Sequence, residues 1–198
     1  MAWPVRHRGA VARAYRLLEP GGIYHVTTSA AGGLFAFRND GDRLYFLQLL
    51  DRIVTRHRWL CQAYCLLGTH YHLLLETPAP DLSDGMHRLN GIYAQRFNKH
   101  HERRGHLFGD RFTSVRVTSD GHLLHLSRYI ALNPVRAGLC TRPENWEWSS
   151  YAAAIGLRVP PAFLDTDGVL RRFGRSRNVA RRRLRTFVEE ELQPRHGV

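Results

Sequence analysis

His70-Tyr71-His72, set in the apolar run Leu66-Leu67-Gly68-Thr69-His70-Tyr71-His72-Leu73-Leu74-Leu75-Glu76, has the residue types and spacing of this chain that point most directly to chemistry. Side chains alternate faces along a strand, so both imidazoles leave the same face. Two ring nitrogens held a few Å apart on a rigid element can chelate a divalent metal when a third group converges on them. A second polar set lies downstream. His122, His125, Tyr129 and Asn133 follow one another at helical spacing, and positions three and four apart share a helix face. If that helix packs beside the histidine strand, Asn133 is the converging ligand and Tyr129 places a hydroxyl beside a metal-bound phosphate. A metal that polarises the phosphate makes tyrosine a usable nucleophile. His122 and His125 read as exposed or outer groups and are not assigned to the metal.

These side chains need elements to hold them. The alternation in Gly22-Ile23-Tyr24-His25-Val26-Thr27-Thr28 predicts a first strand. Asn39 and Asp40 are candidate N-caps for a helix over 40–57, with Phe46, Leu49, Leu50, Ile53 and Val54 as its apolar stripe. Strands are expected over 59–67 and 71–76, joined by a turn at Gly68-Thr69, and Thr77-Pro78-Ala79-Pro80 ends the second. Asp81 is expected to cap a helix bearing Leu82, Met86, Leu89, Tyr93 and Phe97. An extended segment covers 107–117. Ser119 caps a helix over 120–132, which is expected to stop before Asn133-Pro134 because the residue preceding proline disfavours helical geometry. The order β-α-β-β-α-β followed by a further helix predicts an α+β, ferredoxin-like antiparallel sheet, with an added tyrosine-bearing helix and C-terminal helices. Three parts are expected: a basic arm over 1–20, the main domain over 21–155, and an Arg-rich helical extension over 156–198.

The chain has 198 residues, enough for one substantial core. Lys and Arg number 29 against 17 Asp and Glu, a formal charge of +12. That surplus, mostly Arg, favours a polyanion bound through its phosphates, with nucleic acid as the leading partner. Arg171, Arg172, Arg175, Arg177, Arg181, Arg182, Arg183 and Arg185 follow one another without an intervening acid. Cys61, Cys65 and Cys140 make neither a disulfide framework nor a zinc ribbon. No long apolar run suggests a membrane span, so a cytoplasmic location is expected. Oligomeric state, monomer or homodimer, stays open.

Several blocks in order resemble one known family. Ser127-Arg128-Tyr129-Ile130-Ala131-Leu132-Asn133-Pro134-Val135-Arg136-Ala137-Gly138-Leu139 and His70-Tyr71-His72 resemble the tyrosine helix and His-hydrophobic-His motif of the REP-associated tyrosine transposases. These belong to the wider HUH single-tyrosine transposases. Gly22-Ile23-Tyr24-His25-Val26-Thr27, Leu89-Asn90-Gly91-Ile92-Tyr93-Ala94-Gln95-Arg96-Phe97-Asn98, Gly105-His106-Leu107-Phe108 and Trp148-Ser149-Ser150-Tyr151 extend the likeness over 21–151. The resemblance implies a metal-dependent nuclease and strand transferase, with Mg2+ or Mn2+, acting on single-stranded or hairpin DNA. It implies His70 and His72 as metal ligands, Asn133 as the third, and Tyr129 as the nucleophile that becomes joined to the 5′ phosphate. Arg88, Arg96, Lys99, Arg103, Arg104, Arg111, Arg128, Arg136, Arg181, Arg182 and Arg183 are the candidate DNA contacts, together with the N-terminal arm. The sequence departs from the pattern where relatives have Pro-Asn and this chain has Gly68-Thr69, where they have His or Tyr and it has Ala131, and in the loop Ser29-Ala30-Ala31-Gly32-Gly33.

Two rivals come from other classes. A non-catalytic DNA-binding or regulatory module would keep the basic surface without needing Tyr129. A two-histidine phosphodiesterase would use His25-Val26-Thr27 as one HxT element, but it needs a second HxT or HxS, which His70-Tyr71-His72 does not supply.

Overall fold

In the computed structural model, which describes residues 18–192, a four-stranded antiparallel sheet separates two apolar cores. Its strands are β1 (Gly22–Ser29), β2 (Leu60–Leu66), β3 (His70–Thr77) and β4 (Thr113–Arg116), in the spatial order β2-β3-β1-β4. With α1 (Asp40–His57) between β1 and β2, and α2 (Leu82–His100) between β3 and β4, this is the expected ferredoxin-like arrangement. The N-terminal arm expected over 1–20 lies almost wholly outside the described residues.

Period-two alternation sends Tyr24 and Val26 of β1, and Tyr71, Leu73 and Leu75 of β3, to one face. There they meet Phe46, Leu50 and Ile53 of α1 and Met86, Leu89, Tyr93 and Phe97 of α2. Each large side chain removed from water in this layer contributes about 1.5–3 kcal/mol before conformational entropy is subtracted. Asn39 caps α1 by accepting a hydrogen bond from the Asp42 amide at 3.0 Å. Asp81 precedes α2, but its carboxylate does not cap the helix as expected. It accepts from Trp59 Nε1 at 2.8 Å and pairs with His57 Nδ1 at 2.6 Å, tying the end of α1 to the start of α2.

The opposite face of the sheet carries Ala63, Cys65 and Leu74, and α3 (Asp120–Arg136) covers it with Leu123, Ile130 and Leu132. Ser119 caps α3 through the His122 amide at 3.1 Å. Contrary to the proline argument, α3 continues through Asn133-Pro134 to Arg136. Pro134 sits in the last turn, so its missing N–H costs one bond near an end. Asn133 Nδ2 also donates to the Tyr129 carbonyl at 2.8 Å, and the Ala137 and Leu139 amides close the terminus on Asn133 and Pro134.

The C-terminal extension joins this second core. After α4 (Tyr151–Ala154) and α5 (Asp167–Leu170), α6 (Arg177–Glu189) buries Ala180, Leu184 and Val188 in the same cluster as α3. Three further boundaries differ from expectation. β3 begins at His70, β2 is shorter at both ends, and only Thr113–Arg116 of the extended 107–117 segment is a strand.

Candidate active site

Register decides which polar side chains share the face under α3. Thr27 lies opposite His72, Ser29 opposite His70, and Cys65 on the other side of His72. His25, two residues before Thr27, therefore points to the same side as both histidines. The result is a cluster on two adjacent strands. His72 Nδ1 lies 3.0 Å from His25 Nε2 and 3.0 Å from Thr27 Oγ1, while the His25 and His72 rings stack with centroids 5.2 Å apart. The His70 ring stands 5.0 Å from that of His72.

His72 is buried, and its Nε2 has no hydrogen-bond partner among the described residues. A proton on Nε2 would leave a buried donor unsatisfied. With the proton on Nδ1, His72 donates to His25 or Thr27 and keeps a lone pair on Nε2, the state a metal ligand needs. His70 Nδ1 contacts its neighbour Thr69 Oγ1 at 3.0 Å, which leaves its Nε2 as the second available donor atom. Burial holds all three imidazoles neutral. It pushes His25 down to about 4, with His122 adding repulsion, and it lowers His70. His72 is held well below its ordinary value, by burial first and then by His25 and His70.

Helix α3 brings Tyr129 to the cluster. Its ring meets those of His72 and His25 edge-on, with centroids 5.5 Å and 5.9 Å away. Arg136 lies over the Tyr129 ring at 5.2 Å. Asn133, one turn beyond Tyr129 and buried, has committed its Nδ2 to the Tyr129 carbonyl, so its amide oxygen is the atom left for a ligand role. Among the described residues, no group of three or more His, Cys, Asp and Glu could hold a metal ion. A divalent cation held by Nε2 of His70 and His72 would need its further ligands from neutral oxygens or from the phosphate oxygens of a substrate.

From the sequence, His25 and Thr27 belong to the first strand, to a block that resembles the family and to an HxT element, with no role beside His72. The signal that they belong here was their period-two spacing on β1, which has no meaning for His72 until the register is known. His122 is half-buried and His125 exposed. Gly68, the departure just before the histidines, sits beside the exposed Phe35 side chain. A Cβ there would come within 3.2 Å of the Phe35 ring, and the Ala36 and Phe37 amides both donate to the Gly68 carbonyl.

The expected DNA contacts divide into exposed and internally engaged groups. Lys99, Arg104, Arg111 and Arg182 are exposed. Arg88 pairs with Asp84 at 3.1 Å in an exposed ion pair, and Arg96 lies over Tyr45. Arg103 instead braces its own turn, bonding Asn98 Oδ1 and the His106 carbonyl at 3.2 Å. Arg128 stacks on Phe187 at 4.2 Å, and with Arg136 it flanks Glu191, at 3.3 Å and 3.2 Å respectively. Arg183 donates to the Phe173 carbonyl at 2.9 Å, while a Cβ on Gly156 would strike Arg181. Much of the C-terminal arginine run thus fastens α6 to the body, with Arg172 on Asp120 and Arg185 on Glu144.

The family profile described as "Transposase IS200 like" matches residues 23–133, more than half of the chain. A protein of Haemophilus influenzae (strain ATCC 51907 / DSM 11121 / KW20 / Rd) named as a REP-associated tyrosine transposase is 24% identical over 151 residues, covering 66% of this chain and 86% of its own. The solved structure of a REP-associated tyrosine transposase bound to a REP hairpin superposes with a TM-score of 0.65 at 14% identity, covering 78% of this chain and 92% of that one. Among the described residues, no helix is long and apolar enough to cross a membrane.

Proposed function

The chain belongs to the IS200-like transposase family, and from that premise we propose that it is a metal-dependent endonuclease and strand transferase acting on single-stranded DNA next to a hairpin. The observation that carries this reading is the placement of Tyr129 against His72, whose buried Nε2 has no partner of its own.

The Tyr129 hydroxyl attacks a backbone phosphorus, forming an Oη–P bond and breaking the bond to the 3′ oxygen, which leaves as a 3′-hydroxyl. A 5′-phosphotyrosine link results. It conserves the phosphodiester energy, so attack by another 3′-hydroxyl rejoins a strand and frees the tyrosine. His70 and His72 would hold Mg2+ or Mn2+ through Nε2, with Asn133 as third ligand, and the cation would neutralise charge on the reacting phosphate. His25 and Thr27 hold the His72 ring and its tautomer. Arg136, beside the Tyr129 ring, supplies positive charge at the same place. The exposed Arg88, Arg96, Lys99, Arg104 and Arg111 offer phosphate contacts on α2 and the turn after it.

The test incubates purified protein with a labelled single-stranded hairpin library and Mn2+ and resolves the products on a denaturing gel. A protein–DNA adduct is expected from the wild type and none from Tyr129→Phe. Absence of any wild-type adduct removes the enzymatic reading, and salt-sensitive binding without an adduct would instead indicate a DNA-binding regulator. An adduct that survives in Tyr129→Phe removes the assignment of the nucleophile.

A further inference from the structure

The middle residue of His70-Tyr71-His72 faces away from the candidate site, because successive side chains of β3 leave opposite faces of the sheet. Tyr71 is fully buried in the core that α1 and α2 share, with the Phe46, Phe37 and Phe108 ring centroids 4.6, 6.5 and 6.2 Å from its own. A phenylalanine would fill that aromatic cage without bringing in a polar atom, so the hydroxyl is the feature that packing does not require. A buried hydroxyl left without a partner is destabilising, which makes its bond a constraint on where the strand can lie. Tyr71 finds its partner on α2, where its hydroxyl donates to Asn90 Oδ1. Burial pushes the Tyr71 hydroxyl above its ordinary value, so it stays protonated and remains the donor of this bond.

The other end of the Asn90 amide reaches the neighbouring strand. Asn90 Nδ2 donates to Thr28 Oγ1 at 3.4 Å, and Thr28, also buried, is the register partner of Tyr71. This pair sits between the residues that build the site. Tyr71 separates His70 from His72, and Thr28 separates Ser29, opposite His70, from Thr27, which is opposite His72 and 3.0 Å from its Nδ1. One side-chain amide of α2 thus ties β1 and β3 together from the core side, at the level where their other faces carry the imidazoles. A roll of β3 at Tyr71 swings both imidazoles, and a slide of β1 at Thr28 takes Thr27 away from His72. Chelation tolerates little of either, since the ligating side chains of a site must be held within about 0.5 Å of their working geometry.

We propose that Asn90 is a positioning residue for the metal site, acting from the opposite face of the sheet through the Tyr71 hydroxyl to hold His70 and His72 in chelating geometry. The proposal rests on the metal-dependent reading above. It gives Asn90 no contact with the cation, and Tyr71, enclosed in the core, has none with DNA.

The test measures Mn2+ binding to the full chain by calorimetric titration, with His72→Ala as the reference that lacks the chelate. Tyr71→Phe keeps the ring in its cage and removes only the hydroxyl, so circular dichroism should show the fold retained. It should bind Mn2+ about ten-fold more weakly, the lower end of the loss seen when a group behind a metal ligand is removed. Asn90→Ala should lose about as much, and the double variant no more than either single one, because both changes remove the same bond. Asn90→Asp keeps an oxygen that accepts from Tyr71 and should restore most of the affinity. Ile53→Val, a buried change in α1 that costs stability without touching this bond, should bind Mn2+ as wild type does. Wild-type Mn2+ affinity in Tyr71→Phe overturns the proposal. So do single losses that multiply in the double variant, or a loss in Ile53→Val as large as that in Tyr71→Phe. If wild type binds no Mn2+, the metal-dependent reading and the role of Asn90 fall together. Wild-type binding alongside an unaffected Tyr71→Phe sinks the role of Asn90 alone, whereas the expected loss in Tyr71→Phe without any wild-type DNA adduct sinks the strand-transfer reading alone.

Discussion

Replacing the groups behind His72 should weaken metal binding in a strongly non-additive way. His72 Nδ1 has two partners at the same 3.0 Å distance, His25 Nε2 and Thr27 Oγ1, but only one proton to donate. Either partner alone can hold the ring with Nε2 outward. His25→Phe keeps the ring volume and removes the nitrogens, and Thr27→Val keeps the shape and removes the hydroxyl. Each single change should therefore cost only about two- to five-fold in Mn2+ affinity, since the remaining acceptor takes over. In the double variant the Nδ1 proton becomes a buried, unsatisfied donor at a cost of about 1–3 kcal/mol. The ring can then recover a partner only by turning or changing tautomer, either of which spoils Nε2 as a ligand, so affinity should fall roughly 10–100-fold. Calorimetric titration of Mn2+ into the four proteins measures this directly, with His72→Ala as the non-binding reference. A double variant that binds Mn2+ as tightly as wild type would refute the reasoning, as would single losses that simply multiply.

Two helical glycines should respond in opposite directions. A Cβ on Gly85 would come within 2.2 Å of Trp59, so Gly85→Ala is expected to destabilise by about 1–3 kcal/mol despite better helix propensity, while Gly91→Ala, facing open space, should stabilise by up to about 1 kcal/mol in urea denaturation. Asp81→Ala leaves the indole N–H of buried Trp59 and the His57 imidazole without their shared acceptor, and a loss of about 2–4 kcal/mol is expected in the same assay. For the chelator-treated protein, thermal stability should fall as pH drops from about 6.5 toward 4. His25, His70 and His72 have folded-state values below the ordinary one, so in that window the unfolded chain binds more protons, and the stability gained by keeping the rings neutral is present above it and lost through it. A pH-independent melting temperature across that interval would contradict the burial of the cluster.

Much of the fold was legible because its signals are local. The apolar stripe of Phe46, Leu50 and Ile53 and the Asn39 cap marked α1 at Asp40–His57, and alternation marked β1 and β3 closely. The errors came where a local rule met a non-local partner. Pro134 was read as a stop, yet position in the last turn and a side-chain bond from Asn133 let α3 run on. Asp81 was read as a cap, yet two donors from the other end of the layer claimed its carboxylate. In the arginine run after Arg171, spacing alone does not announce the internal partners that several members have in Asp120, Glu144 and the Phe173 carbonyl.

The sequence by itself determined the residue types of the site and the faces they leave from, because period two on a strand and period 3.6 on a helix are properties of the backbone alone. It could therefore name His70, His72, Tyr129 and Asn133. What only the tertiary structure decided is which faces meet. The β1–β3 register set Thr27 opposite His72 and carried His25 into hydrogen-bonding distance, and the packing of α3 brought the Tyr129 ring onto both. A register shift of one residue would have turned His25 and Thr27 into the α1–α2 core in place of Tyr24 and Val26, with every local signal unchanged.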